Sequence, residues 1–308
     1  MVVEMRGVTK RYGEVRALDG IDLEVEQGEV VAVLGPNGAG KTTAIAAMLG
    51  LTRPTSGEVR CFGGDPSRHE ARARVGVMLQ ESGVPSSLKV AEVVGLFQSY
   101  YPHTLPRDEI LARAELEDKR HALVSTLSGG QRQRLYFALA IAGDPDLVFL
   151  DEPTVALDVS ARRAFWEQVR GFAELGKTVL FSTHYLGEAD AFARRVVVVD
   201  RGRVIAEGSP REIKRLVADT TVRFRTEFPV ERLREFPEVQ RAVLEDGAVV
   251  VATNEPEALL RQLFALGVGL SELRVSESDL EAAFVHLTEA AGRPSGGRTA
   301  RDPQRVAA

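Results

Sequence analysis

Cysteine is nearly missing from this chain: Cys61 is the only one in 308 residues. One thiol cannot form a disulfide framework or a cysteine-cluster metal site, and it fits a reducing compartment. Long apolar runs are missing too. A membrane-spanning helix needs roughly 20 mostly apolar residues. The apolar stretches Ala44–Leu51 and Leu135–Gly143 are far shorter and read as buried helices. The opening MVVEMRGVTKRYGEV has no apolar core of the kind an export signal needs. The chain is therefore expected to stay in the cytoplasm, and work at a membrane would need another subunit to supply the span. Positive charge is not in excess. Lys and Arg number 39 against 44 Asp and Glu, for a net charge of -5 and a pI near 5.7. That balance excludes a bulk basic nucleic-acid binder. There is no internal repeat.

What remains is ordinary for a folded protein. The hydrophobic fraction is 44% and the charged fraction 27%, so a large core can be buried. The length favours two domains over one. Up to about Leu216, short β-branched runs alternate with helical stretches. Val30–Leu34, Leu147–Leu150, Thr178–Phe181 and Val196–Val199 have strand length and little alternation, as expected for strands covered on both faces. This predicts an α/β domain with a mainly parallel core sheet. The first thirty residues and the stretch Gly57–Gly63 read as more exposed strands. Asp200-Arg201-Gly202 marks a hairpin.

A second unit starts near Thr220. Thr221–Phe228 reads as a strand and Val230–Phe236 as a short helix. Val239–Leu244 and Ala248–Thr253 flank the turn Glu245-Asp246-Gly247. Asn254 is expected to cap a helix over Glu255–Leu266, ended by Gly267, before the strand Leu270–Val275. The order βαββαβ predicts a small ferredoxin-like α+β domain. Ser278 and Glu281 match a capping box for a last helix. From Gly292 the chain is rich in Gly, Pro and Arg and reads as a disordered tail. The expected layout is residues 1–218, 219–290 and a tail 291–308.

Gly35-Pro36-Asn37-Gly38-Ala39-Gly40-Lys41-Thr42 sits between a strand and a helix-forming run. Glycines let successive backbone N–H groups converge on an anion. The helix start adds unpaired donors and a positive dipole end. Lys41 can reach β- and γ-phosphates, and Thr42 can offer a hydroxyl to Mg²⁺. The strand Leu147–Leu150 then delivers Asp151 and Glu152 at its C-terminal end, where open α/β sheets place ligands. Neighbouring strand residues point to opposite sides, so the two acids can serve different ends: Asp151 on Mg²⁺, Glu152 on the attacking water. Two solvated acids at a strand end are the other reading. Ser128-Gly129-Gly130-Gln131 before a helix is a second anion-binding device. One nucleotide rarely needs two such devices. The economical explanation is that each serves a different copy, with two chains enclosing ATP between them.

GPNGAGKTT, LSGGQ and LVFLDEP, in this order and setting, resemble the Walker A, signature and Walker B motifs of ATP-binding cassette (ABC) ATPases. The resemblance covers Met1 to about Arg215. It implies an ABC ATPase domain whose core sheet is joined by an antiparallel β subdomain and a helical subdomain. It implies nucleotide contact by Gly35, Asn37, Gly38, Ala39, Gly40, Lys41, Thr42 and Thr43. Ser128, Gly129, Gly130 and Gln131 would contact the nucleotide of the opposite copy. Tyr12, in KRYG, matches the aromatic residue that stacks on adenine. Gln80, in VMLQES, matches the glutamine that senses Mg²⁺ and the attacking water. Asp158, in PTVALD, matches the loop that crosses the dimer interface, and His184, in FSTHYL, the switch histidine on the γ-phosphate. Ala156 stands where the family often has glycine.

The implied catalytic set is Glu152, His184, Gln80 and Lys41, with Thr42, Gln80 and Asp151 as metal-side residues. The implied cofactors are ATP and Mg²⁺. The implied partners are a second copy and an integral membrane permease, which would contact most of the transported substrate, with no nucleic acid. The protein would then be peripheral on the cytoplasmic face of the membrane. STHYLGEAD and SESDLEAAFVHLTEA resemble exporter subunits of the drug- and polyketide-resistance kind. The competing expectation is a soluble cassette ATPase acting on ribosomes or DNA. Against it, the chain carries one cassette, and no long coiled coil separates Lys41 from Asp151.

Overall fold

The computed structural model describes residues 1–79, 83–155, 157–216, 220–277 and 280–292. Gln80, Ala156, Ser278 and the tail from residue 293 lie outside the described residues. Contacts divide the chain into two units, Met1–Glu207 and Gly208–Ala308.

The first unit is built on a six-stranded sheet. Its order is Val75–Met78, Leu147–Asp151, Thr178–Ser182, Val30–Leu34, Arg195–Asp200, Arg203–Gly208. The first five strands pair in parallel. Val30–Leu34, Leu147–Asp151 and Thr178–Ser182 are buried along their whole length, which is why they read as unbroken apolar runs. Arg201 and Gly202 connect the last two strands with φ of 48° and 75°. Positive φ at both turn positions is what a tight hairpin needs. The strand Val75–Met78 has four residues and adds to the strands expected from the sequence. A run that short, containing Gly76, carries no readable period.

A second sheet of three antiparallel strands has the order Val15–Val25, Val3–Tyr12, Ser56–Cys61. Met5, Val8, Ile21, Leu23 and Val25 are buried, and they join Val31, Val33 and Ile45 in one core cluster. Short helices, Val90–Gln98 and Arg107–Arg113, pack near the helix Gly129–Ile141 as a helical region. The mixed α/β architecture with one parallel-rich and one antiparallel sheet is thus the predicted fold class.

Aromatic packing sets the helix Val159–Glu174 in place. Phe165, Trp166, Val169 and Phe172 are its buried residues, a spacing that lines one helix face. Trp166 lies 4.5 Å from Phe181 and stacks on Phe192 at 5.1 Å, centroid to centroid. Phe137 meets Phe165 edge-on at 5.6 Å. Edge and offset contacts of this kind are worth about 0.5–1.5 kcal/mol beyond area burial. They hold this helix on the strand Thr178–Ser182.

The second unit carries the strands Thr220–Arg225, Arg241–Glu245, Ala248–Thr253 and Ser271–Glu277. Helices Val230–Leu233 and Pro256–Ala265 fall between them, in the order βαββαβ. The four strands pair antiparallel, with Thr220–Arg225 and Ala248–Thr253 central. Val222, Phe224, Val249 and Val251 pack on Leu233, Leu259 and Leu263. The helix cap differs from expectation: Glu255, not Asn254, holds the N-cap position, with no side-chain cap bond. The Glu255 N–H instead donates to Thr253 Oγ1 at 3.0 Å. Pro256 at the first helical position, preset in φ, supplies the start signal.

Candidate functional site

The C-terminal ends of three neighbouring strands meet at one level. Val33 is in register with Ser182, and Ser182 with Asp151. The loop that follows Leu34 turns through Gly38 and Gly40, at φ of 79° and 106°, and opens the helix Lys41–Met48. A Cβ on Gly40 would lie 2.5 Å from the backbone oxygen of Ala17, so the neighbouring sheet leaves no room for a side chain. The loop is closed by Ala39 N–H donating to Pro36 O at 3.1 Å, and Ala44 N–H to Gly40 O at 2.8 Å. Thr42 is exposed at the helix start and Thr43 half-buried.

Lys41 is buried, and its ammonium donates to Gly35 O at 2.6 Å and Pro36 O at 3.2 Å. Burial pulls its pKa down, and the carboxylates of Glu152 and Asp151 act to raise it. The loop lysine and the two acids at the end of Leu147–Asp151, the next strand but one from Val30–Leu34, therefore share one site. Asp151 is buried and accepts from Ser182 Oγ at 2.5 Å. Glu152 sits at φ 48°, a left-handed conformation costing about 1–3 kcal/mol that clusters at functional sites. Its N–H is held by Ser182 O at 3.2 Å and Ser182 Oγ at 3.0 Å. Its Oε2 lies 3.5 Å from His184 Nδ1. His184 is half exposed, with its ring 4.1 Å from that of Tyr185.

Other expected residues stand apart. Tyr12 ends its strand exposed, with Lys10 Nζ 5.0 Å from the ring centre. Ser128 caps the helix Gly129–Ile141. Its Oγ accepts from Gln131 N–H at 3.2 Å, while Gln131 Oε1 accepts from Ser128 N–H at 3.1 Å. Among the described residues, no hydrogen bond or ion pair joins Ser128–Gln131 to the Gly35–Thr42 loop. Asp158 caps the helix Val159–Glu174, accepting from Ala161 N–H at 2.8 Å. Sequence reasoning missed Ser182, Thr154, Thr183, Glu188 and Arg162, which buttress the acids and the histidine. Ser182 and Thr183 directly precede His184, so their place beside it was the available signal.

Comparison with known proteins agrees with this geometry. A family profile described as ABC transporter matches residues 18–155. The Nod factor export ATP-binding protein I of Cupriavidus metallidurans is 36% identical over 296 residues, covering 93% of this chain and 97% of that protein. The chain belongs to the ABC transporter family. It is an ABC ATPase. The daunorubicin/doxorubicin resistance ATP-binding protein DrrA of Streptomyces peucetius is also 36% identical, over 97% of this chain and 95% of that protein. A dimeric ATP-binding cassette solved in a post-hydrolysis state with ADP and Pi is 30% identical. It aligns with 67% of this ABC ATPase and 98% of its own chain at a TM-score of 0.61. An ATP-binding subunit of an ABC transporter aligns with 70% of this chain and 93% of its own, at a TM-score of 0.64 and 27% identity. In this ABC ATPase, ATP is the nucleotide and hydrolysis the reaction.

Proposed function

We propose that this chain is the nucleotide-binding subunit of an exporter and drives a separate membrane permease through ATP-dependent pairing of two copies. The observation that carries this reading is the single level reached by Val33, Ser182 and Asp151. It sets Lys41, Asp151, Glu152 and His184 around one point, while the capped Ser128 turn makes no bond to it. Among the described residues this helix start makes no hydrogen bond to the Gly35–Thr42 loop, which supports closure by a second copy. On this reading residues 1–218 form the nucleotide-binding domain and 219–290 a second domain.

Each side chain then has a task. Lys41 neutralises charge on the β- and γ-phosphates. Glu152 orients and deprotonates water for in-line attack on the γ-phosphate. His184 and the opposing copy's signature turn steady that phosphate, and Tyr12 stacks on adenine. Gln80 links the site to the permease, and Asp158 lies at the interface between copies. The oxygens of Thr42 and Asp151 fit Mg²⁺, which takes few protein ligands beside phosphate and water. Among the described residues no cluster of three or more His, Cys, Asp or Glu forms an all-protein metal cage. Mg²⁺, when bound there, would neutralise phosphate charge.

Export is the activity in the name of the Nod factor relative, and daunorubicin/doxorubicin resistance in that of DrrA. Those names support an exporter here. No helix among the described residues is long and apolar enough to cross a membrane. On this reading the permease supplies the span and the chain works at the cytoplasmic face. The test is Glu152→Gln in full-length protein. It is expected to bind ATP normally, stop turnover and run as a dimer with ATP and Mg²⁺ in size exclusion with light scattering. A monomer under those conditions, with turnover at the parent rate, would overturn the reading.

A further inference from the structure

Glu188 is a buried carboxylate, 4% exposed, in the first turn of the helix Leu186–Phe192. Burying a carboxylate is costly unless charge and hydrogen bonds compensate. The compensation comes from two different loops. Thr154 Oγ1 donates to Glu188 Oε1 at 2.5 Å, and Thr183 Oγ1 donates to Oε2 at 2.6 Å. Both threonines are themselves buried, at 1% and 2% exposure. Arg162 Nε lies 3.5 Å from Oε1.

The positions of the two donors matter. Thr154 lies two residues beyond Glu152, and Thr183 is bonded to His184. Thr183 Oγ1 also accepts from Tyr185 N–H at 3.0 Å. The Arg162 guanidinium lies 3.8 Å from the centre of the Tyr185 ring, and that ring also meets His184 at 4.1 Å. A closed circuit results. Glu152 faces His184 directly at 3.5 Å, and the two loops behind them are clamped by one carboxylate. Arg162 extends the circuit to the helix that Asp158 caps.

We propose that Glu188 is a positioning residue for ATP hydrolysis, holding the Glu152 and His184 loops at a fixed separation. This rests on the assignment of water handling to Glu152 and γ-phosphate contact to His184. A misplacement of about 1 Å can cost roughly 100-fold in rate, so the clamp acts on turnover and leaves nucleotide affinity alone.

The experiment compares full-length Glu188→Gln, Thr183→Val, His184→Ala and the double variant Glu188→Gln/His184→Ala. It measures kcat, KM, affinity for a fluorescent ATP analogue, and melting temperature. Glu188→Gln is expected to lower kcat by roughly 10–100-fold with KM and affinity unchanged. In that background His184→Ala is expected to cost much less than it does alone, because the histidine is already misplaced. Parent-level kcat in Glu188→Gln, or losses that simply multiply in the double variant, would overturn the proposal. If Glu188→Gln does not fold, Thr183→Val decides: a fall in kcat at constant KM supports the clamp, and parent kcat overturns it. Full turnover by both Glu152→Gln and His184→Ala would sink the site assignment itself. Loss of turnover in those two but not in Glu188→Gln would sink only the clamp.

Discussion

Ser182 Oγ donates to Asp151 Oδ1 at 2.5 Å and accepts from the Glu152 N–H at 3.0 Å. One hydroxyl on a neighbouring strand thus orients a buried acid and pins the strained backbone of the next. The strand register that pairs Asp151 with Ser182 makes this possible. Ser182→Ala removes both bonds. A stability loss of about 1–3 kcal/mol is expected, with a fall in kcat larger than any change in ATP affinity. Urea denaturation and steady-state ATPase assays measure the two effects.

Lys41 feels the charge of both Glu152 and Asp151. Lys41→Ala is expected to lower turnover by roughly 100-fold or more and to weaken ATP binding. Lys41→Arg is not a rescue, because the planar guanidinium is bulkier than the ammonium held between Gly35 O and Pro36 O. Titration with a fluorescent ATP analogue, beside phosphate release, separates binding from chemistry.

Gly40→Ala tests the loop backbone. The position combines φ 106° with a Cβ 2.5 Å from Ala17 O. Positive φ alone costs about 1 kcal/mol or more with alanine, and the clash adds to it. Lower thermal stability together with weaker ATP binding is expected. Unchanged melting and affinity would show that the loop can move away from the Val15–Val25 strand.

Cys61 provides a pH prediction. Burial pushes its thiol up to about 11. Folding therefore favours the neutral thiol. That contribution is complete below ~8.5, where the unfolded chain's thiol is also protonated. It is lost as pH rises toward the folded value of about 11. Stability should fall with pH across this window in the parent and fall less in Cys61→Ala, as read from urea midpoints. Iodoacetamide at pH 8 should label the denatured chain far faster than the folded one.

Much of this molecule is determined by sequence alone. The buried runs Val30–Leu34 and Thr178–Phe181 declare a parallel sheet, because strands covered on both faces must be apolar throughout. Gly38, Gly40, Lys41 and Thr42 declare a phosphate loop, because local backbone freedom and one charge suffice. Short elements were harder to read. Val75–Met78 is too brief to show a period, and the start at Glu255 and Pro256 rests on proline's preset φ, not on the Asn254 side chain.

Tertiary structure alone decided which residues meet. Glu152 and His184 are separated by the helix Val159–Glu174 and the strand Thr178–Ser182, yet lie 3.5 Å apart because the strands ending at Asp151 and Ser182 are parallel neighbours. Glu188 in sequence is one acid on an amphipathic stretch. Only packing turns it into a buried carboxylate with donors from two loops. Motifs encode chemistry through local geometry. The side chains that hold that chemistry in place depend on strand order and register, which no single stretch of sequence contains.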